Sequence, residues 1–281
     1  MTLPAGLTGA ERVETQIHHY SAWRLLADEL NATLIERRFI SEPIELAELH
    51  HHVAAADVEL DENYMNNPTR SLYALPQTVR DHYLDLVKFV AAEVVRADML
   101  FQAAPIVRFH FPAPFPPNLR GASGRGLQFH SDTLGGHPFS MINLWLALTD
   151  TVGPNALHLS EIDAGIEVLT RFAAALGDDP YASSLTRFHE RLRTDGSFEA
   201  AVTASCHPVP TSAGDLIVFD PRCVHGGAEN GTDLTRVSID FRIVVLPDAA
   251  GGEFERTLAA RHPRWSRGRS LHPLSARQLW D

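Results

Sequence analysis

The spacing of apolar residues divides the chain into a helical first third and a later part that alternates as β-strands do. Apolar residues recur at three- and four-residue steps from Gly9 to Glu36, from Ile44 to Ala55 and from Pro76 to Met99. Each of these patterns predicts a helix. Pro76 suits a first helical turn, because the N–H that proline lacks would have no partner there. We expect the helices to pack outside a main sheet.

Strict alternation of polar and apolar residues predicts two strands whose polar faces carry charge. In residues 106–111, Arg108 and His110 lie on one face and apolar side chains lie on the other. Residues 235–244 alternate in the same way, and their polar face carries Arg236, Ser238, Asp240 and Arg242. A polar face inside a sheet needs partners or a ligand.

Two further apolar runs, at residues 140–149 and 215–219, predict buried strands. Between them, helical stripes at residues 161–176 and 181–193 form an insertion that separates the two halves of the sheet. This insertion could cap the open end of a barrel.

These elements predict a mainly β fold with helical additions, which a chain of 281 residues can form as a single domain. Residues 1–100 should be a mostly helical buttress. The β core should comprise residues 101–160 and 203–247, with the helical insertion at 161–202.

The net charge and the composition limit the classes of molecule that the protein is expected to bind. A formal charge of −11 disfavours binding to nucleic acid or to an anionic membrane, so we expect a small-molecule substrate. No apolar run is long enough to span a bilayer, and the first residues lack a signal-peptide pattern, which predicts a cytoplasmic protein. Trp265 and Trp280 in the tail could dock on the body or on a second subunit, so a homodimer stays open.

The candidate chemistry centres on a His-x-Asp pair, His130 and Asp132. In an extended strand, residues two apart project to the same side, with Ser131 turned away. His225, which follows the predicted strand at residues 215–219, is the best candidate for a third ligand. Two histidines and one carboxylate on one face of a metal leave the opposite face open, as in non-haem Fe(II) oxygenases.

A second motif, Arg236-x-Ser238, lies one strand beyond His225. The planar guanidinium offers a fork of donors that fits a carboxylate, and the neighbouring hydroxyl adds another donor. The two residues therefore predict a clamp for an organic acid.

With these motifs in this order, the segment from about residue 106 to 245 resembles the Fe(II)/2-oxoglutarate-dependent oxygenases, in particular the phytanoyl-CoA-dioxygenase-like branch. The resemblance implies a double-stranded β-helix, the jelly-roll or cupin-like core, and the use of Fe(II), 2-oxoglutarate and O2. It implies that iron and the distal carboxylate of 2-oxoglutarate bind at His130, Asp132, His225, Arg236 and Ser238.

Other polar residues near these motifs are weaker candidates. Asn143 is the strongly polar residue of a buried run, and the resemblance implies that it contacts 2-oxoglutarate or the substrate. Gln128, on the face of the His-x-Asp pair, is assigned to 2-oxoglutarate in the same way. Arg108, His110 and Arg242 are assigned to the substrate pocket. For Arg108, an internal salt bridge is the alternative.

A loop at residues 112–126, rich in proline and glycine, precedes the His-x-Asp pair and could close over the pocket. Three consecutive histidines, His50, His51 and His52, point in different directions on a helix, so we assign them no function.

The resemblance implies oxidation of an unactivated C–H bond in a small polar intermediate of bacterial antibiotic biosynthesis, such as an aminoglycoside or sugar precursor. Hydroxylation is the default outcome, and desaturation and oxidative cyclisation stay open. The alternatives are an amino acid hydroxylase of the same family, with a free or carrier-linked substrate, and a cupin-like metal-binding protein without oxygen chemistry. The Arg236 and Ser238 clamp argues against the last.

Overall fold

The computed structural model of the protein describes residues 12–54, 57–59, 66–96, 99–113, 129–135, 141–176, 184–245 and 271–274. Gln128, Trp265 and Trp280 lie outside the described residues, as does most of the predicted 112–126 loop.

The helices and strands follow one another along the chain as follows. The first part contains β1 (Gln16–His19), α1 (Trp23–Glu36), α2 (Leu49–His52), α3 (Asn67–Ser71), α4 (Gln77–Phe89), β2 (Met99–Gln102) and β3 (Ile106–His110). The second part contains β4 (Met141–Ala147), β5 (Leu157–Ser160), α5 (Ile162–Leu176), α6 (Ser184–Thr194), α7 (Gly196–Ser205), β6 (Cys206–Val209), β7 (Asp215–Phe219), β8 (His225–Gly226), β9 (Arg236–Val245) and β10 (Leu271–Leu274).

A large antiparallel sheet carries most of the strands, in the order β1-β7-β4-β9-β2-β10, with β3 also paired to β9. A smaller antiparallel sheet has the order β6-β5-β8. These two antiparallel sheets with helical additions confirm the predicted jelly-roll type of core. Strand β9 is central, because its first half pairs with β3, its last residues pair with β2, and β4 lies along its other edge.

The outer face of the large sheet is apolar and packs against the first helices. Alternate residues of β9 lie in this core, namely Val237, Ile239, Phe241 and Ile243, together with Leu26, Leu30 and Leu34 of α1. Tyr83 of α4 stacks edge-on against Phe241, with ring centroids 5.3 Å apart, and its hydroxyl donates to the Gln102 carbonyl at 2.6 Å. The helices therefore buttress the sheet as predicted.

The inner face of the same sheet mixes apolar and polar residues. Trp145, Ile217 and Phe219 pack against residues of the small sheet, including Leu157 and Leu159. The polar positions of β9 and β3 share this face, because Ser238 lies opposite Arg108 in the register and Arg236 lies opposite His110. The predicted alternation of both strands is thus confirmed, and the polar faces point between the sheets.

Helices α5, α6 and α7 form the insertion, with their own core around Phe172, Phe188 and Phe198. Helix α5 approaches the chain just before β8 at a glycine. A Cβ built on Gly165 would lie 2.5 Å from the Arg222 carbonyl oxygen and 3.0 Å from the Cys223 Cα. Only a residue without a side chain fits this contact.

Three predicted elements are wrong in detail. The helix expected from residue 9 contains strand β1, which pairs with β7, and the helix begins only at Trp23. Sheet pairing at the edge outweighed the helical spacing of Val13, Ile17 and Tyr20, and Ile17 is half exposed. Asp132 begins a 3-10 helix, Asp132–Gly135, where an extended strand was expected. The insertion continues beyond residue 202 into the last turn of α7.

Within the described ranges, none of the helices combines the length and the apolar content needed to cross a bilayer.

We expect Gly165→Ala to lower the free energy of unfolding by about 1–3 kcal/mol, because the new methyl group must displace backbone at residues 222 and 223. Gly196→Ala is the matched control, since nothing lies within 4 Å of a Cβ there, and it should change stability by less than about 1 kcal/mol. Urea unfolding of both variants measures the difference. Equal stability of Gly165→Ala and the wild type would contradict the close packing.

Candidate active site

Two histidines from distant parts of the chain are joined through their backbones. The His130 N–H donates to the His225 carbonyl at 2.9 Å, and the His225 N–H donates to the His130 carbonyl at 2.8 Å. In such a reciprocally bonded pair, the two side chains point to the same side. The two imidazole centroids are consequently 4.4 Å apart.

Asp132 completes a group of three potential metal ligands. Ligand atoms of His130, Asp132 and His225 all lie within 4.8 Å of one another, and His130 Nε2 is 3.7 Å from Asp132 Oδ1. Ser131 is turned away, and its hydroxyl donates to the Pro221 carbonyl at 2.8 Å. The structure therefore brings together the three predicted ligands, although Asp132 reaches the site from a 3-10 helix.

The environment of His225 suits a neutral metal-binding imidazole. Its Nδ1 lies 3.2 Å from the Cys223 carbonyl, which can only accept, so Nδ1 carries the proton and Nε2 keeps its lone pair. Burial lowers the pKa of His225, although the nearby Asp132 carboxylate acts in the opposite direction. A neutral, pre-oriented imidazole is the form that binds Fe(II), so this residue fits the implied metal.

The turn before His225 is held by a buried ion pair that the sequence did not reveal. Both Arg222 and Asp220 have no exposed surface, and Arg222 Nε and Nη2 each donate to a different oxygen of Asp220 at 2.7 Å. The Arg222 backbone N–H and the Val13 N–H also donate to this carboxylate, at 2.9 and 3.1 Å. The N-terminal segment thus helps to fix the turn that carries the ligand.

Arg242 lies against the carboxylate of Asp132, the candidate metal ligand. Its Nε donates to Asp132 Oδ2 at 2.7 Å, and its Nη2 donates to Oδ1 at 3.0 Å. Burial lowers the pKa of Arg242, but the charge of Asp132 and these hydrogen bonds outweigh it and raise the pKa overall. Arg242 was assigned to the substrate, and in the structure two of its three side-chain nitrogens donate to Asp132. Its Nη1 is buried without a hydrogen-bond partner among the residues described.

Arg236 and Ser238 lie nearer the beginning of β9, where both are buried. Arg236 Nη1 donates to the carbonyls of Asn155 and Ala156 at 3.0 and 3.1 Å. Arg236 Nε and Ser238 Oγ are buried and have no partner in the described part of the chain. Burial lowers the pKa of Arg236 to about 10, so the guanidinium stays charged at neutral pH.

The substrate candidates of β3 are placed beside this clamp. Arg108 Nε donates to Asp240 Oδ2, so the salt bridge that was the alternative for Arg108 is present. His110 lies opposite Arg236, and burial, together with the positive charge of Arg236, lowers its pKa well below the ordinary value. Its Nδ1 is buried without a hydrogen bond in the described structure. A neutral His110 therefore faces the clamp.

Asn143 lies on β4, directly opposite Arg242 in the register. Its side chain is buried, and neither its amide oxygen nor its amide nitrogen has a partner within the described ranges. An amide left in this state costs free energy unless something else binds it. This is the strongest indication that Asn143 contacts a ligand.

No pattern in the sequence indicates that His189 of α6 lies beside the site. Its ring centroid is 6.4 Å from that of His130, and its Nε2 is buried without a partner in the described structure. Burial, reinforced by His130, lowers its pKa to about 4. A single histidine on an amphipathic helix gives no sequence signal, so only the packing of the insertion reveals this neighbour.

Comparison with known proteins supports the class of this site. The model of the phytanoyl-CoA dioxygenase (PhyH) family matches residues 176–238, which include His225, Arg236 and Ser238. This match confirms the resemblance drawn from the motifs. Together with the His-Asp-His group, the match agrees with the predicted enzyme class and cofactors, an oxygenase that uses Fe(II) and 2-oxoglutarate. No curated protein sequence matches the chain significantly.

Solved structures show distant likeness. EvdMO1 is 18% identical with a TM-score of 0.47, over 86% of this chain and 50% of that one, so the chain spans half the length of EvdMO1. AviO1 from Streptomyces viridochromogenes Tue57 is 18% identical with a TM-score of 0.44, over 88% of this chain and 96% of that one. SnoK, an alpha-ketoglutarate-dependent carbocyclase from nogalamycin biosynthesis, is 14% identical with a TM-score of 0.43, over 86% of this chain and 87% of that one.

We expect His225→Ala, His130→Ala and Asp132→Ala each to weaken Fe(II) binding by more than about 100-fold, because each removes a direct ligand. His51→Ala, on the exposed surface of α2, is the control and should bind iron as the wild type does. Anaerobic titration with Fe(II), or with Co(II) followed by its visible spectrum, measures the affinity. Unchanged affinity in His225→Ala would remove it from the ligand set.

Proposed function

We propose that the protein uses Fe(II) and 2-oxoglutarate to oxidise a C–H bond of a small polar biosynthetic intermediate. The observation that carries the proposal is a set of buried polar atoms without hydrogen bonds, beside the three metal ligands. Within the described residues these atoms include Arg236 Nε, Ser238 Oγ, Arg242 Nη1, Asp240 Oδ1 and both polar atoms of the Asn143 amide. Buried polar groups in folded proteins nearly always have partners, so several such atoms in one place indicate a site that a ligand or ordered water fills.

The metal would be held by His130, Asp132 and His225. Two neutral imidazoles and one carboxylate are the donors of the facial arrangement that leaves positions open for other molecules. When bound, Fe(II) with 2-oxoglutarate and O2 supplies the oxidising power, while 2-oxoglutarate is converted to succinate and CO2. A metal held only for structure would need no acid-binding clamp beside it.

Arg236 and Ser238 would bind the far carboxylate of 2-oxoglutarate. The guanidinium is already oriented by its bonds to the Asn155 and Ala156 carbonyls, so it loses little freedom when the carboxylate arrives. Asp240 would repel an anion at this point, but the salt bridge with Arg108 offsets its charge. Neutral His110 adds no charge of its own.

The substrate would lie beside 2-oxoglutarate on the open side of the metal, near Asn143, Asp240 and His189. The unpaired atoms there include both donors and acceptors, which favours a substrate rich in hydroxyl or amino groups. A sugar-type or aminoglycoside-type intermediate of antibiotic biosynthesis fits this character better than an acyl chain does. Hydroxylation, desaturation and oxidative cyclisation all use the same arrangement.

The direct test adds Fe(II) and then 2-oxoglutarate to the protein without oxygen. A weak visible charge-transfer band that needs both additions supports the proposal, and a protein that binds iron but gives no band contradicts it. Polar candidate substrates are then screened for stimulated succinate formation in the presence of O2.

We expect Arg236→Gln to raise the 2-oxoglutarate concentration needed for the charge-transfer band by roughly 10- to 100-fold. The reason is the loss of charge-assisted hydrogen bonds worth about 1.5–3 kcal/mol. Iron affinity, measured without 2-oxoglutarate, should stay within about twofold, since Arg236 contacts none of the three ligands. An unchanged 2-oxoglutarate requirement would show that another residue binds the far carboxylate.

We expect Asn143→Leu to stabilise the fold and to impair the reaction. The substitution removes two unsatisfied buried polar atoms and keeps the branching and the number of heavy atoms of the side chain, which should raise the free energy of unfolding by about 1–3 kcal/mol. It should also increase the ratio of 2-oxoglutarate consumed to product formed. Urea unfolding and a coupled succinate assay measure the two effects. Lower stability with normal coupling would mean that Asn143 has a structural role.

A further inference from the structure

We propose that Arg242 is a positioning residue that restricts Asp132 to a single bond with the metal and so keeps a coordination position open for O2. This inference rests on the proposed function. It assigns Arg242 a task distinct from the contact with substrate that its place on β9 first suggested.

The geometry of the ion pair is the first argument. Arg242 donates through two nitrogens to the two different oxygens of Asp132, at 2.7 and 3.0 Å. This fork-to-fork arrangement occupies the pair of lone pairs that converge in front of the carboxylate. A metal ion that chelates a carboxylate through both oxygens needs those same converging lone pairs. The remaining lone pairs diverge, so the ion can be reached through one oxygen only.

The rigidity of the pair is the second argument. Both side chains are largely buried, at 11% exposure for Arg242 and 5% for Asp132. Arg242 belongs to β9, which is paired to β4 at this position, with Asn143 directly opposite. The negative charge of Asp240 also stabilises the guanidinium. Arg242 is therefore held in place before any metal arrives.

The number of coordination positions gives the consequence. His130, His225 and one oxygen of Asp132 fill three positions of a six-coordinate ion, and 2-oxoglutarate fills two more through its keto acid. One position is left for O2. If Asp132 bound through both oxygens, the complex with 2-oxoglutarate would have no position left. Without Arg242, 2-oxoglutarate and O2 would compete.

The test uses nitric oxide as a stand-in for O2, added without oxygen to the Fe(II)-loaded protein and followed by the EPR signal of the iron nitrosyl. In the wild type, nitric oxide should bind with and without saturating 2-oxoglutarate. In Arg242→Met, binding without 2-oxoglutarate should be normal, and binding with 2-oxoglutarate should weaken by about tenfold or more. A general structural defect would weaken both.

Two further variants keep the test decisive. Arg242→Lys offers a single point of donation, so 2-oxoglutarate should weaken nitric oxide binding less in this variant than in Arg242→Met. The Lys variant replaces the Met variant if that protein fails to hold iron. Arg236→Met removes a guanidinium from the same face of β9. It should need more 2-oxoglutarate but bind nitric oxide normally once saturated.

The outcomes separate the two proposals. If the wild type binds no iron or gives no 2-oxoglutarate band, the proposed function fails. If the wild type binds both and the Arg242 variants bind nitric oxide equally with and without 2-oxoglutarate, only the role of Arg242 is overturned. If 2-oxoglutarate weakens nitric oxide binding in the Arg242 variants alone, the result supports the inference.

Discussion

Charges buried along the inner face of β9 are the constraint on which the site depends. A buried charge is costly unless it is paired. Arg242 is paired with Asp132, and Asp240 is paired with Arg108. Arg236 has hydrogen bonds only to neutral carbonyls among the described residues. Of the arginines that the structure describes on this face of β9, Arg236 is therefore the one without an ion pair and can accept an anion.

The features that repeat along one strand could be predicted from the sequence. Alternation placed Arg236, Ser238 and Arg242 on one face of β9, and the apolar residues between them identified the opposite face as core. The ligand trio was also predicted, because His-x-Asp and a distal histidine follow a recognisable order. The helix from residue 9 was wrong because sheet pairing with β7, which no local pattern records, decided the structure of residues 16–19.

The partners of the site residues could not be predicted, since they depend on registers between segments far apart in sequence. Asp132 and Arg242 meet only because the 3-10 helix faces the far half of β9. Arg222 gives no sign in the sequence that it is fully buried on Asp220. His189 reaches His130 only through the packing of the insertion. The sequence therefore identified the three candidate ligands that the structure brings together, while the residues that orient them required the structure.

The reciprocal backbone bonds between His130 and His225 also bear on how the protein folds. They close a very long loop, and the cost of closing it must be met before these contacts contribute stability. The turn before His225 further needs Val13, from the beginning of the described chain, and helix α5, which contacts it at Gly165. The two histidines can thus become neighbours only after most of the chain has reached its native topology. Metal capture would then mark the end of folding, and a partly folded chain would have no assembled site in which to carry out oxidation.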